Sequence, residues 1–206
     1  MSELFPMFVK LEDRSVLVVG AGAVGQSKIE GLLRTGADVR VVSLTSTIAV
    51  QEWARNGLID LREREFQPGD LDDVLLAVIA TSSAQLNRLI FKLARERGIL
   101  CNVVDVPDLC HFYYPAVVRR GDLQIAVSTA GQSPFLAQKI REQLEKQYGP
   151  HYAEWVQELG ETRSQVLKSD LPSEQKRDLL HSLASREAFE AAVQRHSNGE
   201  QEGHAA

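Results

Sequence analysis

Residues 20–25 read Gly-Ala-Gly-Ala-Val-Gly, directly after the apolar run SVLVV at 15–19 and directly before a stretch with Ile29, Leu32 and Leu33 at helical spacing. Few folds accommodate a strand, a glycine turn and a helix in that order. The first glycine permits the tight turn, the second lets the main chain approach a pyrophosphate, and the third lets helix and strand pack closely. The helix start adds unpaired N–H groups and the positive end of a dipole, which suit an anion. The segment therefore predicts a dinucleotide cradle built on Gly20, Gly22 and Gly25.

The first half continues the same alternation. VRVV at 39–42, residues 58–61, the wholly apolar LLAVIA at 75–80 and ILCNVV at 99–104 read as further strands. Helical stretches separate them: one ending with Gly36 as a left-handed cap, one through Trp53, and one over 87–97 with Leu89, Ile90, Leu93 and Ala94 on one side. Uninterrupted apolar runs of strand length belong to parallel sheets covered on both faces. The expected class is α/β, a Rossmann-type parallel sheet. After Pro115 the pattern changes. Residues 117–120 and 123–128 flank Gly121-Asp122 as a hairpin, and Ser133-Pro134 opens a helix that Gly149-Pro150 stops. From Tyr152 the pattern is helical, with Trp155, Val156 and Leu159 on one face and Leu179, Leu180 and Leu183 after a break at Pro172. The polar residues 196–206 are expected to be a disordered tail.

Composition narrows the partners. The 206 residues carry a net charge of -5, with 44% hydrophobic and 25% charged residues. That excludes a largely disordered chain and argues against a general nucleic-acid binder. No apolar run approaches the ~20 residues of a spanning helix. MSELFPMFVKLEDR has no signal-peptide pattern, and Cys101 and Cys110 form no disulfide framework or zinc motif. A cytoplasmic protein without membrane or nucleic-acid partners is expected.

Candidate chemistry gathers at strand ends. The carboxylate that commonly binds a ribose after the second strand is missing; Ser43 and Thr45 offer hydroxyls there instead. Arg40 lies within that strand as a solvated edge residue, so these residues leave NAD and NADP both open. Asp105 ends the fifth strand, where it can meet a substrate as a general base or simply start a turn before Pro107. Ser128, Thr129, Gly131 and Ser133 form a small-residue loop before a helix, suited to an anion or to capping. Arg119 and Arg120, with Lys139 and Arg141, offer a local cationic wall or a solvated face. His111 faces either the cleft or a loop, and the five histidines show no close metal spacing.

Taken in order, GAGAVGQSK at 20–28, NVVDVP at 102–107, FYYPAVVRRGDLQIAVSTAG at 112–131 and SPFLAQKIRE at 133–142 resemble the precorrin-2 dehydrogenase / sirohydrochlorin ferrochelatase family, the dehydrogenase module of siroheme synthase. The resemblance runs to about residue 195. Ala21 and Gly25 stand where relatives often carry Gly and Ala, and Ala130 stands where a second glycine is usual. The fused methyltransferase of the long siroheme synthases has no counterpart, so methylation of uroporphyrinogen III is expected elsewhere.

The resemblance implies a homodimer that oxidises precorrin-2 to sirohydrochlorin with NAD+, and some members also insert Fe2+ as a ferrochelatase. It implies Asp105 as the catalytic residue, also available to a metal during chelation. Ala23, Val24, Leu44 and Thr45 would border the NAD+ beside the glycines and Ser43. The tetrapyrrole substrate, a polycarboxylate, would meet Ser128, Thr129, Gly131, Ser133, Arg119, Arg120 and His111. The implied layout is an NAD-binding domain over 1–115, a dimerisation region over 116–150, a small helical domain over 151–195 and the tail over 196–206. A different class of reading is a non-catalytic dimeric NAD(H)-sensing domain, which leaves Asp105 and the 128–133 loop unexplained.

Overall fold

Strand β1 (Ser15–Ala21) buries Val16 and Val18 on one face and Leu17 and Val19 on the other, which is why its sequence is continuously apolar. The computed structural model describes residues 3–202, with side chains over 3–194. The chain divides into two compact units, Met1–Tyr114 and Pro115–Ala206.

In the first unit β1 is followed by α1 (Ala23–Leu33), β2 (Asp38–Ser46), α2 (Ile48–Arg55), β3 (Ile59–Arg62), β4 (Leu76–Ile79), α3 (Ala84–Glu96) and β5 (Leu100–Val103). All pairings are parallel, in the order β3-β2-β1-β4-β5. Ile29 and Leu32 of α1 and Val50 of α2 close one face of the sheet, and Ile90 and Ala94 of α3 close the other. The strand order reverses between β1 and β4. In an open α/β sheet the ligand crevice forms there, outside the carboxyl ends of the strands.

Two expectations about this unit need correction. Arg40 is not a solvated edge residue, because β3 and not β2 forms the edge. Its Nη1 donates to the Asp70 and Asp72 carbonyls at 2.9 and 3.3 Å, and its Nε is buried without a hydrogen-bond partner. Along α3, Leu89 is 48% exposed while Asn87 is buried. Asn87 turns inward because its amide exchanges hydrogen bonds with Thr81, whose hydroxyl donates to Oδ1 at 2.6 Å.

The second unit comprises the antiparallel hairpin β6 (Ala116–Arg120) and β7 (Leu123–Val127), then α4 (Pro134–Gln147), α5 (Tyr152–Lys168), α6 (Ser173–Leu183) and α7 (Arg186–Glu202). Ser133 caps α4 by accepting the Leu136 N–H, with Pro134 in the first turn. Tyr152 stacks on Phe189 at 4.2 Å, and Trp155 meets the same ring edge-on at 5.1 Å. Along α6 no residue is buried, and Leu179 is exposed. The expected disorder from 196 is also corrected as far as residue 202, because α7 continues that far. Ala191 and Ala192 favour the helix, and the single Gly199 costs only about 1 kcal/mol. Residues 203–206 of the expected tail lie outside the described residues.

Candidate cofactor cradle and active site

The backbone after β1 takes the shape its glycines allow. Gly20 has φ +99, and a Cβ there would lie 2.3 Å from the Ala80 carbonyl oxygen after β4. A Cβ on Gly25 would lie 2.0 Å from the Gly20 carbonyl oxygen. These two glycines join strand, turn and helix. Gly22 differs, since a Cβ there meets nothing within 4 Å. It is the N-cap of α1, with no side chain capping the helix, and Ala23 and Val24 beside it are exposed. The first N–H groups of α1 therefore face open space that only the missing Cβ keeps clear, a fit to a pyrophosphate.

The flanking strand ends are fixed locally. The β1–β2 register shifts between Val19 and Ala21, which leaves the Ala21 N–H without a ladder partner. Ser43 Oγ accepts that N–H at 3.1 Å and donates to the Thr45 carbonyl at 2.7 Å. This corrects the sequence reading, in which Ser43 offered its hydroxyl to a ribose: its proton is engaged within the protein. Leu44 and Thr45 are exposed at the carboxyl end of β2. On the other side of the crevice the turn after β4 is held by Thr81, Ser83 and Asn87. The sequence reading missed this turn, because nothing in its composition marks it as adjacent to Gly20.

Asp105 is exposed at the carboxyl end of β5 and has φ +61, a left-handed conformation that Asp tolerates better than most residues. Its turn is pinned from both sides. The Val104 N–H continues the ladder to Ile79, and the Val106 N–H returns to the Val103 carbonyl. Asn102 Nδ2 donates to the Phe112 carbonyl at 2.8 Å, and the Cys110 thiol donates to the Val103 and Val106 carbonyls. Burial pushes the Cys101 thiol up to about 12, so it stays protonated. Among the described residues no group of three or more His, Cys, Asp and Glu could hold a resident metal ion.

Beside Tyr114 is a residue the sequence reading passed over. Lys28 of α1 lies with Nζ 4.1 Å from the centroid of the Tyr114 ring. Burial lowers its pKa, and the charge of Asp105 acts in the opposite direction. Tyr114 is 43% exposed as a residue, and its phenol is pushed up to about 12 by burial. The spacing of QSK gave no warning, since the partners lie about 80 residues downstream on another element.

The expected substrate residues fall into separate groups. His111 is tied to the outer edge of β5: its Nδ1 accepts the Cys101 N–H at 3.1 Å and its ring tilts against Phe91 at 4.8 Å. That leaves only Nε2 for a ligand, so a cleft-facing His111 is corrected to an edge tie. In the second unit Ser128 accepts the Ala130 N–H, Thr129 accepts the Ser133 N–H, and Gly131 follows Ala130 through the left-handed region. Arg120 donates to the carbonyls of Tyr148, Arg119 and Glu145, so it serves α4 and is corrected as a substrate cation. Arg141 pairs with Glu142 and Glu145, and Arg119 donates to Gln124 at 2.6 Å.

The parallel sheet, the reversal of strand order and the open Gly22 cradle define an NAD(P)-binding domain of the Rossmann type. Residues 7–116 match the family described as putative NAD(P)-binding, and residues 120–147 match that described as sirohaem biosynthesis protein central. The chain belongs to the family described as putative NAD(P)-binding, whose match spans just over half of it. It is 37% identical over 186 residues to siroheme synthase 2 of Yersinia pestis (strain Pestoides F), covering 89% of this chain and 39% of the relative. It is 42% identical over 143 residues to siroheme synthase 1 of Yersinia enterocolitica, covering 69% of this chain and 30% of the relative. The chain thus spans well under half the length of these relatives. Among solved structures, SirC, precorrin-2 dehydrogenase, superposes with a TM-score of 0.82 at 28% identity, covering 96% of this chain and 98% of that one. No helix among the described residues is long and apolar enough to cross a membrane.

Proposed function

We propose that the chain is a precorrin-2 dehydrogenase that uses NAD+ to form sirohydrochlorin. The observation that carries this reading is the pairing of an open Gly22 cradle with a carboxylate, Asp105, at the carboxyl end of the same sheet. End-to-end likeness to SirC supports the choice of substrate. When bound, the nicotinamide accepts a hydride. Gly22, Ala23 and Val24 present main-chain N–H groups to the pyrophosphate, and Leu44 and Thr45 border the adenosine side. Asp105 takes the proton that leaves the macrocycle, so that precorrin-2 and NAD+ give sirohydrochlorin, NADH and a proton. Ser128, Thr129, Ser133 and Arg119 offer donors for substrate carboxylates.

Fe2+ enters as a substrate if the protein also chelates, with Asp105 accepting pyrrole protons. A homodimer is supported by the exposed Phe135 and Leu136 on α4, 86% and 51% open. The cytoplasm suits the free thiols of Cys101 and Cys110. Anaerobic mixing of protein, precorrin-2 and NAD+ tests the reading: NADH and sirohydrochlorin should appear in equal amounts. NADH affinity without turnover would move the molecule to the sensing class.

A further inference from the structure

We propose that Lys28, seated on the Tyr114 ring, receives a carboxylate arm of the acidic macrocycle and so helps to select the substrate. The inference rests on the dehydrogenase reading and adds to it a residue and a binding role.

Lys28 is half-buried, and among the described residues it makes neither an ion pair nor a hydrogen bond; its contact is the ring face at 4.1 Å. A partly desolvated ammonium without an anion is unfavourable and gains strongly when one arrives. The immediate surroundings of Lys28 on α1 and the strands beneath are apolar. Its neighbours one turn away on α1 are Val24, Gly25, Gly31 and Leu32, and β1 and β4, the strands beneath, carry no ionisable side chain. Asp105 is the carboxylate whose charge reaches it, and burial outweighs that attraction in lowering the Lys28 pKa. Position favours substrate over structure as well. Lys28 lies one helical turn beyond the exposed Val24 of the cradle. Of the arginines that the sequence offered for this task, Arg120 is engaged with three carbonyls and Arg141 with two glutamates, while Arg119 remains a second candidate. Lys28 is a cation with unused donors in a site whose substrate is a polyanion. Tyr114 holds it by cation–π attraction, which leaves those donors free.

The experiment measures sirohydrochlorin binding by absorbance titration and precorrin-2 kinetics for the wild type, Lys28→Met, Lys28→Arg and Tyr114→Leu. NADH binding serves as the check on folding. Lys28→Met should weaken macrocycle binding and raise KM by about tenfold or more, the scale of one charge-assisted hydrogen bond, with kcat far less affected. Lys28→Arg should recover most of the loss, and Tyr114→Leu should fall between. Wild-type macrocycle affinity in Lys28→Met, or no recovery in Lys28→Arg, overturns the proposal while leaving the dehydrogenase reading intact. A wild type that neither binds nor oxidises the macrocycle overturns both.

Discussion

The two units solve the burial problem differently. The first closes two apolar clusters, one on each face of its sheet, and includes wholly buried side chains such as Leu17, Ile29, Ile79 and Ile90. In the second, the buried apolar residues among those described are Val118, Ala137, Val166 and Ala192, while Phe135, Leu136, Leu167, Leu171 and Leu179 are exposed. A unit of this size with so little core is marginal alone and gains from further burial, as a second copy would provide. The comparison teaches where each kind of information resides. The first unit holds the glycine cradle and Asp105 on a closed core, and the second leaves much of its apolar surface open.

The sharpest way to break this contrast is to separate the units. Residues 1–114 alone should melt cooperatively and bind NADH, whereas residues 115–206 alone should show no cooperative thermal transition. A sharp melt from the second piece at low concentration would contradict the difference.

Within the first unit, Gly25→Ala should cost about 3 kcal/mol or more, because its methyl would collide with the Gly20 carbonyl. Gly22→Ala should stay within about 1 kcal/mol of wild type in denaturant titration yet lose NADH affinity, since its methyl meets only the space meant for a ligand. Equal effects at both positions would remove the distinction between packing and binding glycines.

A smaller effect separates stability from function elsewhere in that unit. Asp70 is 1% exposed and accepts hydrogen bonds from Arg62, Arg64 and the Gln67 N–H. Burial alone would raise its carboxyl, but Arg64, the Gln67 N–H and Arg62 overcome that and hold it at about 2. Because this lies below the unfolded value of about 3.9, the network stabilises fully above pH ~4 and loses its contribution as pH falls towards 2. Asp70→Asn should cost about 2–3 kcal/mol at neutral pH and flatten the acid side of a Tm against pH curve. An unchanged acid limb would show the network to be idle.

The smallest expected effect lies in the second unit. Ala130 has φ +51 where glycine would be unstrained, so Ala130→Gly should raise stability by up to about 1 kcal/mol if relief of strain outweighs the added chain entropy. A lower Tm would show that Ala130 contributes a contact that offsets its strain.

The order of strands and helices was legible because local signals agree: apolar runs, glycine turns, and caps such as Ser83 and Ser133. The glycine cradle was legible for the same reason, being a local motif. What stayed hidden depends on distant partners. Ser43 has a serine's ordinary potential for a ribose, and only the register shift at Ala21 diverts it. Arg120 looks free until the carbonyls at the end of α4 arrive beside it. Lys28 looks like any surface lysine until the Tyr114 ring arrives against it and the charge of Asp105 reaches it.

On the proposed function, the carboxylate of Asp105, at the end of β5, takes up a proton during hydride transfer to the nicotinamide. Asp105→Asn, assayed anaerobically with precorrin-2 and NAD+, tests it most directly. NADH affinity and thermal stability should be unchanged, with kcat lowered by about a hundredfold or more. Turnover near the wild-type rate in that variant would contradict it.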